Sequence, residues 1–221
     1  MRNAWLLMVG LLATGSARAQ SADSTASPWG WGVRVGLGGG SGRYGDARRE
    51  YGATTAAPVA GLLLTRYADA VRASLAAEVL AQRQPWRVDF EQARPFPAYA
   101  PHSFAQWRLF VPVYVRTGPP RAWLHLLAGA GPTFALGRPA AAAAYYPRAA
   151  ELTLLLGLEA CLVRGARAET TLGLRVHAPV TPSYAYGFPS GAASEGRADV
   201  GSRWVGMTLG TTLHPAARAR P

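Results

Sequence analysis

From Gln106 to Arg116 the chain alternates with a period of two. Trp107, Leu109, Val111, Val113 and Val115 fall on one face, and Gln106, Arg108, Phe110, Pro112, Tyr114 and Arg116 on the other. That period is the pattern of an extended strand with two unlike faces. A helical membrane span is excluded, because no segment after the leader offers 18 consecutive apolar residues. The longest candidate, Ala122 to Leu136, is broken by His125, Gly129, Gly131, Pro132 and Thr133.

Eight segments carry the strand pattern. They are Trp29 to about Gly40, Pro58 to Tyr67, Val71 to Arg83, Phe104 to Thr117, Ala122 to Leu136, Glu151 to Val163, Ala168 to His177 and Arg203 to Leu213. Two are ambiguous: Val71, Leu75 and Val79 also fit helical spacing, and Leu152 to Leu162 is similar. The connections after the second, fourth and sixth segments are short: Ala68 to Ala70, Gly118 to Arg121, and Arg164 to Arg167. Those after the first, third, fifth and seventh are long: Ser41 to Ala57, Gln84 to Ser103, Gly137 to Ala150, and Ala178 to Ser202. Short turns on one rim and long loops on the other match outer-membrane barrels. The chain is therefore expected to be all-β, an eight-stranded antiparallel up-and-down transmembrane β-barrel with short periplasmic turns and long extracellular loops.

The N-terminus supports export. Arg2 precedes an apolar run within Ala4 to Gly15, and Ala17-Arg18-Ala19 has the small residues of a signal cleavage site. The expected division is a signal peptide over 1–19, an N-terminal segment over 20–28, the barrel over 29–213 and a tail over 214–221. The expected location is the bacterial outer membrane. Cys161, the only cysteine, can form no intramolecular disulfide and reads as a small buried residue.

In such a barrel the apolar face meets lipid and the polar face lines the lumen. Eight strands leave an interior that side chains can fill. The expected lumen network is structural: Arg34, Arg72, Glu78, Arg108, Arg116, Glu159, Glu169 and Arg175, with Tyr114, His125 and His177 beside them. Buried charges must pair, so arginines should meet Glu78, Glu159 and Glu169 across the lumen. Inward glycines on the first, seventh and eighth segments make room for larger side chains. Trp29, Trp31, Tyr67, Trp107 and Trp204 lie near strand ends, where aromatic girdles sit.

Two adjoining stretches resemble the PorT-like outer-membrane β-barrel family. They are Val111-Pro112-Val113-Tyr114-Val115-Arg116 and Leu126-Leu127-Ala128-Gly129-Ala130-Gly131-Pro132-Thr133, joined by the turn Thr117 to Arg121. The resemblance covers about a tenth of the chain and implies a small outer-membrane barrel without catalytic residues. The chain departs from many outer-membrane proteins in ending its last strand at Leu213 rather than at an aromatic residue.

Site chemistry is sparse. The formal charge is +11, carried entirely by arginine among the bases. Those arginines are scattered and the chain is exported, so nucleic acid is not an expected partner. Outer-membrane lipid and lipopolysaccharide are, together with a surface ligand or protein at the long loops through Arg43, Arg48, Arg49, Tyr51, Tyr99, Tyr145, Tyr146, Tyr184 and Tyr186. A monomer is expected. His102, His125, His177 and His214 show no metal-ligand spacing. The glycines from Gly38 to Gly42 lack the lysine of a phosphate loop. No catalytic, cofactor or metal site is expected. Two alternatives remain open: a lipid-modifying barrel enzyme using His125 or His177 with Ser183, Ser190, Glu169 or Glu195, and a soluble periplasmic lipocalin-like carrier with its apolar face inward.

Overall fold

The computed structural model describes residues 29–44, 50–68, 71–88, 102–118, 122–137, 145–165, 167–181, 184–187 and 197–215. The proposed signal peptide, the 20–28 segment and the end of the tail lie outside them. Eleven strands form: β1 (Trp29–Tyr44), β2 (Glu50–Ala68), β3 (Ala73–Val88), β4 (His102–Phe110), β5 (Val113–Thr117), β6 (Leu124–Leu136), β7 (Tyr145–Pro147), β8 (Ala150–Arg164), β9 (Ala168–Pro179), β10 (Tyr184–Gly187) and β11 (Arg197–Leu213). β4 and β5 are one ladder strand interrupted at Val111-Pro112. Pro112 has no N–H to donate, yet the register is unbroken across it, with Leu80 opposite Phe110 and Ala77 opposite Val113. Pro112 still accepts a backbone bond from Glu78 at 3.0 Å. The segments that were ambiguous with helix, in β3 and β8, are strands.

The expected eight-stranded antiparallel barrel is the observed fold. The ladder runs β1-β2-β3-β4/β5-β6-β8-β9-β11, and β11 pairs back onto β1 over Trp31 to Tyr44. Closure leaves no free edge, the condition for a sheet to cross a bilayer. The register fixes the barrel's shape. A path crossing the ladder from Gly30 passes Thr65, Ala76, Tyr114, Gly129, Leu155, His177 and Trp204, and returns to β1 at Gly40. The shear is ten residues, which tilts the strands by about 40° and leaves an interior about 8 Å in radius, a width that side chains can fill.

The strands outrun the expected boundaries at the long-loop rim. Ser41–Tyr44 and Glu50–Ala57, assigned to a loop from sequence, lie in strands, with Ser41–Arg43 paired to Glu50–Gly52 beyond a bulge between Gly38 and Gly40. β11 likewise begins at Arg197, and β10 pairs with it and with β7. The glycine run from Gly38 to Gly42 suggested a strand end entering a loop, but glycine is tolerated at a bulge.

Outward positions are apolar around the ring. Leu37 is 62 % exposed, Leu62 65 %, Leu126 56 % and Met207 59 %. Inward positions on the same strands are Arg34, Leu63, His125 and Thr208, all buried. This is the reverse of a soluble carrier, whose apolar face would line the cavity. Each residue rises about 2.5 Å along the axis of strands so tilted, so Trp29 and Trp123 below and Trp107 above bound an apolar belt about 25–30 Å tall. Trp204, expected in the girdle, is instead fully buried in the lumen. The parity of β11 turns it inward, opposite Val205. No helix among the described residues is long and apolar enough to cross a membrane.

The register puts Val113 at mid-belt and Leu154 about 6 Å above it. Val113→Arg is expected to destabilise the barrel in phosphatidylcholine vesicles by about 2–4 kcal/mol, and Leu154→Arg by less, because the penalty falls away from the midplane. Reversible urea unfolding monitored by tryptophan fluorescence measures both. Equal stabilities to the parent would contradict the facing.

Candidate functional site

The alternation that turns leucines outward turns four glutamates inward. Glu78, Glu151, Glu159 and Glu169 are all buried. Arg34, Arg108 and Arg175 are at most 1 % exposed, and Arg116 is part-buried beside them. The lumen thus holds four arginines against four glutamates, in three layers.

The central layer crosses the lumen. Glu78, on β3, accepts from Arg34 Nε of β1 at 2.8 Å and from the Tyr114 hydroxyl of β5 at 2.6 Å. It also takes a two-pronged pair from Arg175 of β9, Nη1 to Oε2 at 2.7 Å and Nη2 to Oε1 at 3.2 Å. Glu159, on β8, is the second hub. It meets Arg34 Nη1 at 2.6 Å, Arg175 Nη2 at 2.6 Å and Arg116 Nε at 3.4 Å. Charge-assisted bonds of this kind are roughly twice as strong as neutral ones. Near the short-turn rim, Arg116 also bonds Glu169, and Arg164 Nη2 stands 3.6 Å from that carboxylate.

Above the central layer lies an aromatic one. The His177 ring stacks on Trp204 with centroids 4.7 Å apart, and Phe110 packs on its other side at 4.8 Å. His177 Nδ1 donates to Gln82 Oε1 at 2.9 Å, and Trp204 Nε1 donates to the Ala57 carbonyl at 3.2 Å. Gly38 and Gly206 face each other across the β1–β11 seam beside this indole. A Cβ on either would come within 2.6 Å of its ring. Gly210 makes the same kind of space for the Arg34 guanidinium, which lies 3.0 Å from where its Cβ would be. These glycines are the complement of the two largest inward side chains. Above the aromatics, Arg108 bonds Glu151 and reaches Gln84 Oε1 at 3.5 Å, and Thr133 and Thr153 share a 2.8 Å bond. A small pocket is lined by Gln82, Gln84, Glu151, Thr153, His177 and Trp204 among others.

Of the lumen residues named from sequence, the structure brings Arg34, Glu78, Arg108, Arg116, Glu159, Glu169 and Arg175 inside. Arg72 is a correction. It has the right parity, but it sits in the β2–β3 turn with φ 48° and is exposed. The reversal needs a left-handed residue there, and β3 starts one residue later. Glu151 was missed as the partner of Arg108, although it shares the polar face of β8. His177 is enclosed by Gln82, Phe110 and Trp204, and His125 Nδ1 is 2.6 Å from the Thr117 carbonyl. Ser183, Ser190 and Glu195 lie outside the described residues, as do Arg48, Arg49 and Tyr99. Cys161 is part-buried, with its Sγ 3.8 Å from the Val163 carbonyl at the β8 bulge. Among the described residues no group of three His, Cys, Asp or Glu is placed to hold a metal.

Glu78 is the hub whose loss is most costly. Glu78→Ala leaves Arg34 and Arg175 short of their carboxylate, an expected cost of about 3–5 kcal/mol. Glu78→Gln keeps the volume and the Tyr114 contact and should cost less. Urea unfolding in vesicles ranks the two against the parent, and no loss in either variant would contradict the lattice as drawn.

No family matches the chain by sequence, and no curated protein matches it. Solved structures similar in outline include three bacterial proteins. The outer membrane protein AlkL, determined by solid-state NMR in DMPC bilayers, is 13 % identical, with 93 % of this chain and 98 % of that chain covered and a TM-score of 0.47. Ail, the attachment invasion locus protein of Yersinia pestis, determined with the heparin analogue sucrose octasulfate, is 11 % identical over 82 % of this chain and 98 % of its own, with a TM-score of 0.36. The translocator domain of the autotransporter NalP from Neisseria meningitidis is 11 % identical over 95 % of each chain, with a TM-score of 0.33. All three scores fall below 0.5, so the functional proposal stands on the barrel's own geometry.

Proposed function

We propose that this chain is an integral outer-membrane β-barrel protein with a closed lumen, acting in the cell envelope as a structural element or surface-binding platform rather than as an enzyme or channel. One observation carries this reading: the facing is inverted. The belt that a soluble protein would bury is outside, unbroken around a ring with no free edge, and the charges are inside and balanced. The signal-like N-terminus and the short PorT-like motifs agree with it. The stacked ion pairs and the Trp204–His177–Phe110 layer fill the section through which solutes would pass, which supports a plug. Above the long-loop rim, β7, β10 and the end of β11 form a paired ribbon. That is a rigid site for contact with a surface ligand, and it carries Tyr145 opposite Tyr186.

Expression of the full chain in a Gram-negative host, followed by fractionation and electrophoresis with and without heating, tests the location. Recovery in the outer membrane with a heat-modifiable band is expected, and a soluble periplasmic protein would overturn the reading. In planar bilayers the protein should insert without stepwise conductance. Defined open-channel steps would overturn the plug and leave the barrel standing.

A further inference from the structure

One seam of the ring parts while both of its strands go on. The β2–β3 ladder has its uppermost rung at Val59–Gln82, yet β2 extends to Glu50 and β3 to Val88. At the other seams the ladder stops within two residues of the upper end of one of its strands. Above the parting each strand keeps its other neighbour: Ala57 pairs with Gly38, and Gln84 with Gln106. Proline explains the break. Pro58, the next residue of β2, has no N–H to donate, and Pro85 repeats the defect on β3. On its far side β2 carries the bulge opposite Gly38 and Gly40, and a bulge bends its strand. The last rung lies about 20 Å above the Trp29–Arg66 rung, in the upper part of the apolar belt. Where the backbone ladder stops, a chain of side chains takes over across the lumen. The Ala57 carbonyl, on β2 just above the parting, accepts from Trp204 Nε1 of β11 at 3.2 Å. Trp204 stacks on His177 of β9 at 4.7 Å. His177 Nδ1 donates at 2.9 Å to Gln82 Oε1, and Gln82 is the β3 half of the last rung. All four residues are buried. Among the described residues His177 Nε2 has no hydrogen-bond partner, so the Gln82 bond is the ring's polar hold.

We propose that the upper β2–β3 rungs are a seam at which the barrel wall opens while the rest of the ladder stays closed, and that Trp204 and His177 latch this seam from inside. The latch runs from β2 to β3 through two strands that belong to neither side of the seam. Its links act in series, so breaking one releases the whole. Opening the seam moves Ala57 away from Gln82, which unseats the aromatic layer that fills the lumen at that height. Wall and plug therefore open as one event. The inference rests on the barrel fold and is independent of the envelope role given under Proposed function.

The test is amide hydrogen exchange, resolved by NMR, on the full chain refolded in zwitterionic detergent micelles, with folding of each variant confirmed by heat-modifiable mobility. In the parent, amides of the rungs from Val59–Gln82 to Leu62–Val79 should exchange faster than those from Ala130–Leu154 to Leu127–Gly157, which lie at similar height on the β6–β8 seam. Equal protection of the two sets overturns the seam without any variant being needed. Trp204→Phe removes the bond to Ala57, and His177→Phe removes the bond to Gln82; both keep an aromatic ring in the layer, and neither lies on β2 or β3. Each should speed exchange of the β2–β3 rungs about five- to tenfold and leave the β6–β8 rungs unchanged. The double variant should be no faster than the faster single, as links in series require. Unchanged β2–β3 exchange in both singles overturns the latch. So does loosening spread evenly over all seams, which is what a simple packing defect would give, and so does a double variant whose effects multiply.

Discussion

Closure of the ladder is the constraint from which the rest follows. A ladder left open carries two rows of unpaired backbone groups, so β1 must find β11, and eight strands with a shear of ten have one radius. That radius fits filled side chains and no more. Everything inside must then pair within reach of the opposite wall, and the alternate residues are left to face outward. The arginine–glutamate lattice, the glycines beside Trp204 and Arg34, and the leucine belt are three answers to that one geometric condition.

The lattice is better understood as a device for uniqueness than for stability. Moving two charges out of water costs nearly as much as their attraction returns. What the lattice does supply is register. Glu78 and Glu159 between them touch β1, β5 and β9 from β3 and β8, so a slip of any of these strands by two residues would leave a buried charge without its partner. A slip of one would turn leucines inward.

Much of this was legible in the sequence, for a definite reason. Facing depends only on parity, so Val113, Leu154, Arg34 and Glu159 could be assigned from a period of two. Their contacts could not. Arg175 and Glu78 are 97 positions apart, and they meet because each strand is offset along the axis from the last, a quantity set by ring closure and absent from any local window. Arg72 shows the limit of parity: its phase was right, but the strand began at Ala73, two residues later than the pattern suggested. Trp204 shows a competing expectation overriding parity, since tryptophans near strand ends suggest a girdle while its own strand turned it inward. The strand extensions at the long-loop rim were hidden because Ser41–Tyr44, Glu50–Ala57 and Arg197–Ser202 lack the apolar alternation that marks the rest of the strands.

The seam between β1 and β11 has a kinetic meaning. It joins Trp31 to Leu213, nearly the two ends of the barrel, so its loop-closure entropy is the largest in the fold and it forms after every hairpin has been made. Its inward face is poor in side chains: Gly32, Gly36, Gly38 and Gly40 lie on one strand and Gly206 and Gly210 on the other, with Gly38 directly opposite Gly206. On the lumen side that closing step has two anchors, Arg34 settling over Gly210 and Trp204 between Gly38 and Gly206. Until both anchors seat, the ring is an open sheet with a long unsatisfied edge.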